Sequence, residues 1–314
     1  MAENPFKNAA TRDLIGHRKK IQSIGWNREG TRLASGSKDM SVRIWNVEDT
    51  KKISDRSELE LKGHGDAVDV LAWDPKSSDR LATSGGDRSV RLWDIRAGKC
   101  AQVIETSGDA NINIAWSPDG QLLAVGNRDD VVSFIDVRQH RVVKTTKFGY
   151  EVNELAWKGK HVYLATGAGT LEVVMYPSME RVRSVSAHTS GVYSIAFDAQ
   201  GKHFALGSAD SLASLWDRHD FVCLKTFSSM EWPIRSVSFS NCGAFLASAG
   251  QEERVDISHC ETGAKVHSIP LNGVCNVLAW NPKHPILAYL EFDLAQQRAA
   301  NESVRLIVGG SSAR

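Results

Sequence analysis

Three histidine–aspartate pairs contain residue types that could perform hydrolytic chemistry. Each aspartate follows its histidine by 22 or 23 residues and precedes a tryptophan by six. The three sets are His17, Asp39 and Trp45; His64, Asp87 and Trp93; and His188, Asp210 and Trp216. A hydroxyl side chain lies four residues before each of the first two aspartates, at Ser35 and Thr83. A histidine that a carboxylate orients can act as a general base for a hydroxyl nucleophile, so the elements that hold these residues decide their role.

Those elements belong to seven related units of alternating apolar and polar residues. One unit reads IQSIGWNREGTRLASGSKDMSVRIWNV from Ile21, and another reads NINIAWSPDGQLLAVGNRDDVVSFID from Asn111. Each unit contains one aromatic anchor, and successive anchors lie 40 to 47 residues apart: Trp26, Trp73, Trp116, Trp157, Phe197, Phe239 and Trp280. Alternation with a period of two predicts strands, and this spacing is typical of a four-stranded propeller blade. The sequence therefore predicts an all-β, seven-bladed propeller.

The histidine pairs recur at the same offset in blades that point in different directions, which does not suit a catalytic site. They resemble the hydrogen-bonded Asp, His, Ser/Thr and Trp tetrad of the WD-repeat family, whose role is structural. Their spacing also fits no zinc-ligand pattern. In the fifth blade Leu206 occupies the hydroxyl position, so that tetrad is expected to be partial. The third, fourth and sixth blades lack the pattern.

The two ends of the chain are expected to meet in the last blade. Only three strands of the seventh unit lie at the C-terminal end, and the segment from about Thr11 to Ile15 is placed to supply the fourth. Because a single blade cannot bury both of its faces, the units must stack into one closed body. We therefore predict one domain over residues 1–314, closed by its N-terminal strand.

Composition narrows the possible functions. The formal net charge of +1 provides no general attraction for nucleic acid or an anionic membrane, although the basic run from His17 to Lys20 is one candidate contact. No signal peptide and no apolar run of membrane-spanning length occurs, which predicts a soluble intracellular chain. The five cysteines, an odd number without C-x-x-C spacing, are expected to be reduced: Cys100, Cys223, Cys242, Cys260 and Cys275.

An enzyme built on a propeller is the alternative class. It would need carboxylates, histidines or a metal converging on the central channel, where the innermost strands meet. Those strands contain only two acids, Asp69 and Glu154, and no histidine. We therefore predict no catalytic residue, no cofactor and no bound metal.

Several runs resemble the WD-repeat propeller subunits of THO/TREX, the assembly that couples transcription to nuclear mRNA export. The most specific is NINIAWSPDGQLLAVGNRDDVVSFID, a blade without a tetrad. GHGDAVDVLAW, EVNELAW, GKHFALGSADSLASLWD, WPIRSVSFS and GAFLASAGQEERVDI agree with it. The resemblance extends from about His17 to Val308. The chain departs from it in a short N-terminus and in the polar insertion EFDLAQQRAANE.

This resemblance implies a non-enzymatic scaffold in the nucleus. Its partners would be the other THO subunits, especially a large helical scaffold subunit, and through them an RNA helicase, export adaptors and mRNA. It implies neither membrane binding nor a small-molecule substrate. Another intracellular scaffold, such as a ubiquitin-ligase substrate receptor or a signalling propeller, is the alternative within the binding class.

A partner surface is predicted at one rim of the propeller. In the general propeller pattern, this rim is formed by the residues at the sixth and fourth positions before each anchor. The residue before the acidic residue of a turn, such as Asp39, completes it. We call the following residues the rim set: Lys20, Gln22, Lys38, Asp69, Arg128, Glu151, Asn153, Tyr193, Arg235 and Asn276. Their mixed charges favour a protein partner over a phosphate backbone, so that any contact with RNA would be weak and shared.

Trp232 is added to this surface because it lies in a polar loop, outside the anchor register set by Phe239. Pro233 keeps it in an extended conformation, and Arg235 is expected to project beside it. Tryptophan and arginine dominate binding hot spots. The hypothesis is that Trp232 and Arg235 form part of the docking site for the helical scaffold subunit. A packed loop residue is the simpler interpretation of Trp232.

Overall fold

The computed structural model describes Phe6 and residues 9–48, 53–292 and 303–309. Within these residues the chain forms β-strands β1 to β28 and no helix, so no described helix could cross a membrane. The strands form seven four-stranded antiparallel sheets. The prediction of an all-β, seven-bladed propeller is confirmed. Most of the polar insertion, residues 293–302, lies outside the described residues.

The first four blades follow chain order from the inner strand outward. Blade 1 contains β2 (Ile21–Trp26), β3 (Arg32–Ser37), β4 (Ser41–Asn46) and β5 (Leu59–Lys62). Blade 2 contains β6 (Val68–Trp73), β7 (Arg80–Gly85), β8 (Ser89–Asp94) and β9 (Lys99–Glu105). Blade 3 contains β10 (Asn111–Trp116), β11 (Leu122–Asn127), β12 (Val131–Asp136) and β13 (Arg141–Lys147). Blade 4 contains β14 (Val152–Lys158), β15 (His161–Thr166), β16 (Thr170–Met175) and β17 (Glu180–Ser186).

The remaining blades include the one that closes the ring. Blade 5 contains β18 (Val192–Phe197), β19 (His203–Ser208), β20 (Ala213–Asp217) and β21 (Cys223–Phe227). Blade 6 contains β22 (Ile234–Phe239), β23 (Phe245–Gly250), β24 (Arg254–His259) and β25 (Lys265–Pro270). Blade 7 contains β26 (Val274–Trp280), β27 (Ile286–Phe292), β28 (Val304–Val308) and, outermost, β1 (Ala10–Leu14).

The N-terminal strand closes the ring as predicted, one residue earlier than expected. β1 pairs antiparallel with β28, and Thr11 lies opposite Ile307. Leu14, the last residue of the strand, is only 1% exposed and packs in the cluster between blades 7 and 1. Ile15 is 52% exposed, and its N–H donates to the carbonyl of Asp55 (3.0 Å) instead of continuing the ladder.

The hydrophobic core is a ring of seven layers, one between each pair of neighbouring blades. Between blades 1 and 2, for example, Val42 and Ile44 of β4 pack with Val68 and Trp73 of β6. Each blade therefore depends on both of its neighbours for burial, as the repeat pattern requires.

The anchor indoles add hydrogen bonds between blades. Trp26 Nε1 donates to the carbonyl of Ala279 (3.0 Å), Trp73 to Gly25 (2.8 Å) and Trp116 to Ala72 (2.9 Å). In each case the acceptor belongs to the inner strand of the preceding blade. These three anchors therefore join neighbouring blades as well as filling the core, whereas Trp157 Nε1 donates to the carbonyl of Gly159 (3.2 Å) in its own blade.

The topology brings two sets of loops to the same face of the propeller. Because neighbouring strands are antiparallel, the loop before each inner strand and the turn between the second and third strands lie at the same end of the blade. We call this the upper face. In blade 1 it is formed by residues 15–20 and 38–40, which include His17 and Asp39.

Candidate functional site

The histidine pairs of blades 1 and 2 are closed hydrogen-bond networks on the upper face. His17 Nδ1 lies 2.9 Å from Asp39 Oδ2, and His17 Nε2 lies 2.8 Å from Ser35 Oγ. The same hydroxyl oxygen accepts a bond from Trp45 Nε1 (2.9 Å). Blade 2 repeats this arrangement with all three distances at 2.7 Å, among His64, Asp87, Thr83 and Trp93.

The fifth blade corrects the expectation of a partial tetrad. His188 Nδ1 contacts Asp210 Oδ2 (3.0 Å), and His188 Nε2 contacts Ser214 Oγ (2.7 Å). Ser214 also accepts the Trp216 indole N–H (2.7 Å). Ser214 of β20 is the register partner of Leu206 of β19, so the hydroxyl comes from the neighbouring strand. The sequence signal was a serine two residues before Trp216, where blades 1 and 2 have arginine.

In blade 2 the directions of the pKa shifts suit a structural role for the network. Burial lowers the pKa of His64, although the Asp87 charge opposes this shift. The pKa of Asp87 is also lowered, because hydrogen bonds from the Gly65 N–H and His64 outweigh its burial. A neutral histidine and an ionised aspartate result near neutral pH. Ser35 and Thr83 are fully buried, so neither hydroxyl can reach a substrate.

A polar ring surrounds the mouth of the central channel on the upper face. It is built from the same position, four residues before the anchor, in all seven blades: Gln22, Asp69, Ile112, Asn153, Tyr193, Arg235 and Asn276. The channel has a volume of about 310 Å³. Six of these seven residues carry hydrogen-bonding side chains, so the mouth presents a polar surface to any binding partner.

The residue that follows the ring position along the inner strand often accepts a hydrogen bond from the neighbouring blade. Glu154 Oε2 accepts the N–H of Ile195 (2.6 Å), Ser194 Oγ accepts that of Val237 (3.2 Å), and Ser236 Oγ accepts that of Leu278 (3.2 Å). These bonds link the inner strands of blades 4 to 7 in sequence. The sequence did not reveal this ladder, because its acceptors differ in residue type.

The two channel acids hold neighbouring groups in place. Asp69 Oδ1 accepts a bond from Gln22 Nε2 (3.2 Å) in the adjacent blade. Burial raises the pKa of Asp69, while the Gln22 amide and the nearby charges of Arg128 and Lys38 act in the opposite direction. Burial also raises the pKa of Glu154, to about 7. Among the described residues, no group of three or more His, Cys, Asp or Glu side chains could hold a metal ion.

The structure divides the rim set into two groups. Gln22, Asp69, Asn153, Tyr193, Arg235 and Asn276 line the channel, whereas Lys20, Lys38, Arg128 and Glu151 do not. Trp232 also lies outside the channel lining, on the loop before β22. Arg235 instead lies over the ring of Tyr193, at 4.0 Å from its centroid. This contact places Arg235 inside the channel mouth, and its projection beside Trp232 stays a prediction.

The loop that carries Trp232 is held by its own blade. Trp232 is 58% exposed, yet its backbone N–H donates to Oε1 of the buried Glu252 (3.1 Å). Glu252 pairs with Arg254 (2.7 Å), which in turn donates to the carbonyl of Ser229 (2.7 Å). A fixed backbone thus presents an exposed indole. No pattern in the sequence singles out Glu252, which lies in the turn between β23 and β24.

Comparison with known proteins identifies the family of this chain. Residues 17–290 match the family model described as the THOC3 beta-propeller domain. The chain belongs to this family. It is 50% identical to THO complex subunit 3 of Arabidopsis thaliana over 98% of both chains, which confirms the resemblance seen in the sequence. It is also 35% identical to WD repeat-containing protein AAC3 of Dictyostelium discoideum, over 92% of this chain and 65% of that protein.

Proposed function

We propose that this protein is a non-enzymatic subunit of the THO complex, acts in the nucleus and helps to couple transcription to mRNA export. The observation that carries this proposal is the 50% identity to a THO complex subunit over 98% of both chains. A similarity that spans every blade includes the surface loops as well as the core. Because loops carry the partner contacts of a propeller, this similarity supports membership of the same complex more strongly than a shared fold alone would.

The geometry of the polar groups supports a non-enzymatic role. The tetrad hydroxyls are buried and bonded on two sides, and the channel acids accept hydrogen bonds from neighbouring blades. Catalysis requires a nucleophile or base that can reach a substrate. These residues instead join strands and blades.

We further propose that the upper face docks the large helical scaffold subunit of the complex. That subunit would link the propeller to an RNA helicase, to export adaptors and thereby to mRNA. Trp232 supports this assignment as the most exposed of the large hydrophobic residues described. Its fixed loop means that little conformational entropy is lost when a partner covers it.

Affinity purification of the tagged full-length chain from nuclear extract tests this proposal. We expect the parent protein to recover the THO subunits, and the double variant Trp232→Ala with Arg235→Glu to lose the helical scaffold subunit. The matched control is Val182→Ala with Arg183→Glu on the exposed outer strand β17. Both variants should melt within a few degrees of the parent.

Two results would contradict the proposal at different levels. Recovery of the scaffold subunit by the folded Trp232/Arg235 variant would show that docking occurs elsewhere. Failure of the parent chain to recover any THO subunit would contradict membership of the complex itself.

A further inference from the structure

An unused set of hydrogen-bond donors lies on one side of the channel mouth. Tyr193, Arg235 and Asn276 occupy the same ring position in blades 5, 6 and 7, so they are neighbours around the channel. Together they offer a phenolic hydroxyl, a guanidinium group and a carboxamide. We call these three residues the donor arc.

Within the described part of the chain, no hydrogen bond or ion pair engages the side chains of the donor arc. Other partly buried arginines are paired: Arg32 with Asp79 (2.8 Å) and Arg43 with Glu60 (3.2 Å), for example. Arginine carries five N–H donors, and partly buried polar groups usually find partners. The side chain of Arg235 is therefore available to a ligand.

The stacking contact also prepares Arg235 for binding. Its guanidinium carbon lies 4.0 Å above the Tyr193 ring centroid, close enough for a cation–π interaction. This contact holds the guanidinium over the ring without engaging any of its N–H groups in a hydrogen bond to an acceptor atom. Less side-chain entropy is then lost when a planar acceptor binds.

Charge indicates which ligand suits this arc. The rim set contains four cations, Lys20, Lys38, Arg128 and Arg235, and two acids, Asp69 and Glu151. Only Arg235 of these cations lines the channel, and Lys38 and Arg128 offset the charge of Asp69 from outside the lining. An anionic group is therefore favoured at Arg235. Asp69 and Glu154 lie in the same channel and oppose a ligand with many negative charges, such as a nucleic-acid strand. A single carboxylate satisfies both conditions.

We propose that the donor arc binds the carboxylate of an aspartate or glutamate side chain from a partner polypeptide. The planar carboxylate accepts two parallel N–H bonds from Arg235, while Tyr193 and Asn276 donate from either side. The inference rests on the proposed function only in that the physiological ligand belongs to a protein partner. It adds the chemistry by which the upper face recognises that partner.

The test uses the isolated chain and a fluorescein-labelled peptide of serine and glycine that carries one central glutamate. A matched peptide carries glutamine in place of glutamate. We expect fluorescence anisotropy to show saturable binding of the glutamate peptide, and binding of the glutamine peptide to be about tenfold weaker or absent. Equal binding of the two peptides would overturn the proposal.

Three variants localise the binding. Arg235→Gln removes the charge, whereas Arg235→Lys keeps the charge but loses the two parallel N–H donors of the guanidinium group. Tyr193→Leu keeps the arginine but removes the aromatic ring beneath it. We expect each variant to weaken glutamate-peptide binding, and Arg235→Gln to do so by about tenfold. Arg183→Gln on β17 removes one charge far from the channel and should bind like the parent. Parent-like binding by all three folded variants would overturn the proposal.

A uridine oligomer serves as the competing class of ligand. If it binds as tightly as the glutamate peptide and loses its binding in Arg235→Gln, the arc is a nucleic-acid site and the carboxylate assignment is wrong. Because this assay contains no THO subunit, its outcome is independent of affinity purification. Peptide binding without recovery of THO subunits would contradict the proposed complex, not the carboxylate site.

Discussion

His64 illustrates how a residue of catalytic type takes a structural role. Both of its ring nitrogens are engaged, one by Asp87 and one by Thr83, and burial lowers its pKa. The Thr83 hydroxyl is shared between His64 and the Trp93 indole. The side chain therefore joins the loop before β6 to strands β7 and β8. Removing it leaves buried polar groups without partners.

We predict that His64→Ala lowers the free energy of unfolding by about 1–3 kcal/mol, the usual cost of an unsatisfied buried polar group. Chemical denaturation of the purified variant measures this change. His219→Ala is the matched control, because the His219 side chain is 94% exposed. An unchanged midpoint and slope for His64→Ala would contradict the structural role of the tetrad.

Glu154 leads to a pH-dependent prediction. Burial raises the pKa of its carboxyl to about 7 in the folded protein, from an ordinary value of 4.5. The folded state therefore binds a proton more readily than the unfolded state, and stability falls as pH rises from about 4.5 to 7. We predict that Glu154→Gln removes this pH-dependent loss of stability, which amounts to at most about 3 kcal/mol.

This effect is isolated by denaturing the parent and Glu154→Gln in parallel at pH values from about 5 to 8. The range covers about three units around the folded pKa. Histidines, whose ordinary pKa is about 6.5, titrate in both proteins over this range, so only the difference between the two curves reports Glu154. The curves should diverge as pH rises, with the variant gaining relative stability. Curves that stay parallel over the whole range would show that Glu154 does not titrate as described.

At the scale of elements, one strand can provide the tetrad hydroxyl that the neighbouring strand lacks. Ser214 of β20 lies opposite Leu206 of β19, and its hydroxyl reaches both His188 and Trp216. The histidine, aspartate and tryptophan were recognisable from their sequence offsets. The hydroxyl was not, because its position depends on pairing between two strands and on the direction in which each side chain points.

The pairing of β1 with β28 also operates at this scale, and Leu14 tests it. Leu14 packs with Val304 and Leu306 of blade 7 and with Ile21 of blade 1. We predict that Leu14→Ala costs about 2–5 kcal/mol, as for other buried leucines. The neighbouring Ile15→Ala should cost far less, because Ile15 is half exposed. Equal denaturation midpoints for the two variants would argue against a closing role for β1.

At the scale of the whole molecule, the balance of charge limits what the propeller can bind. With 38 Lys and Arg against 37 Asp and Glu, it cannot release many counterions from a nucleic acid. We predict that the isolated chain binds a uridine oligomer only weakly at physiological salt and shows no hydrolase turnover. Tight binding that persists at raised salt, measured by anisotropy, would contradict a role confined to protein partners.

Much of the architecture was determined by the sequence itself. Blade number follows from the spacing of the seven anchors, and strand type follows from alternation, because both patterns are local properties of the chain. Closure by the N-terminal segment followed from counting strands in the last unit. The histidine and aspartate offsets indicated their pairing, since the same topology recurs in blades 1, 2 and 5.

Only the tertiary structure decided which polar residues meet across blades. The stacking of Arg235 on Tyr193 and the bond from Ile195 to Glu154 join residues about forty positions apart. Blade curvature and stacking set these distances, and no local pattern encodes them. Trp232 was singled out by sequence, but its exposure depends on Glu252 holding the loop from a turn 20 residues away. Contacts of this kind arise only when the ring is assembled.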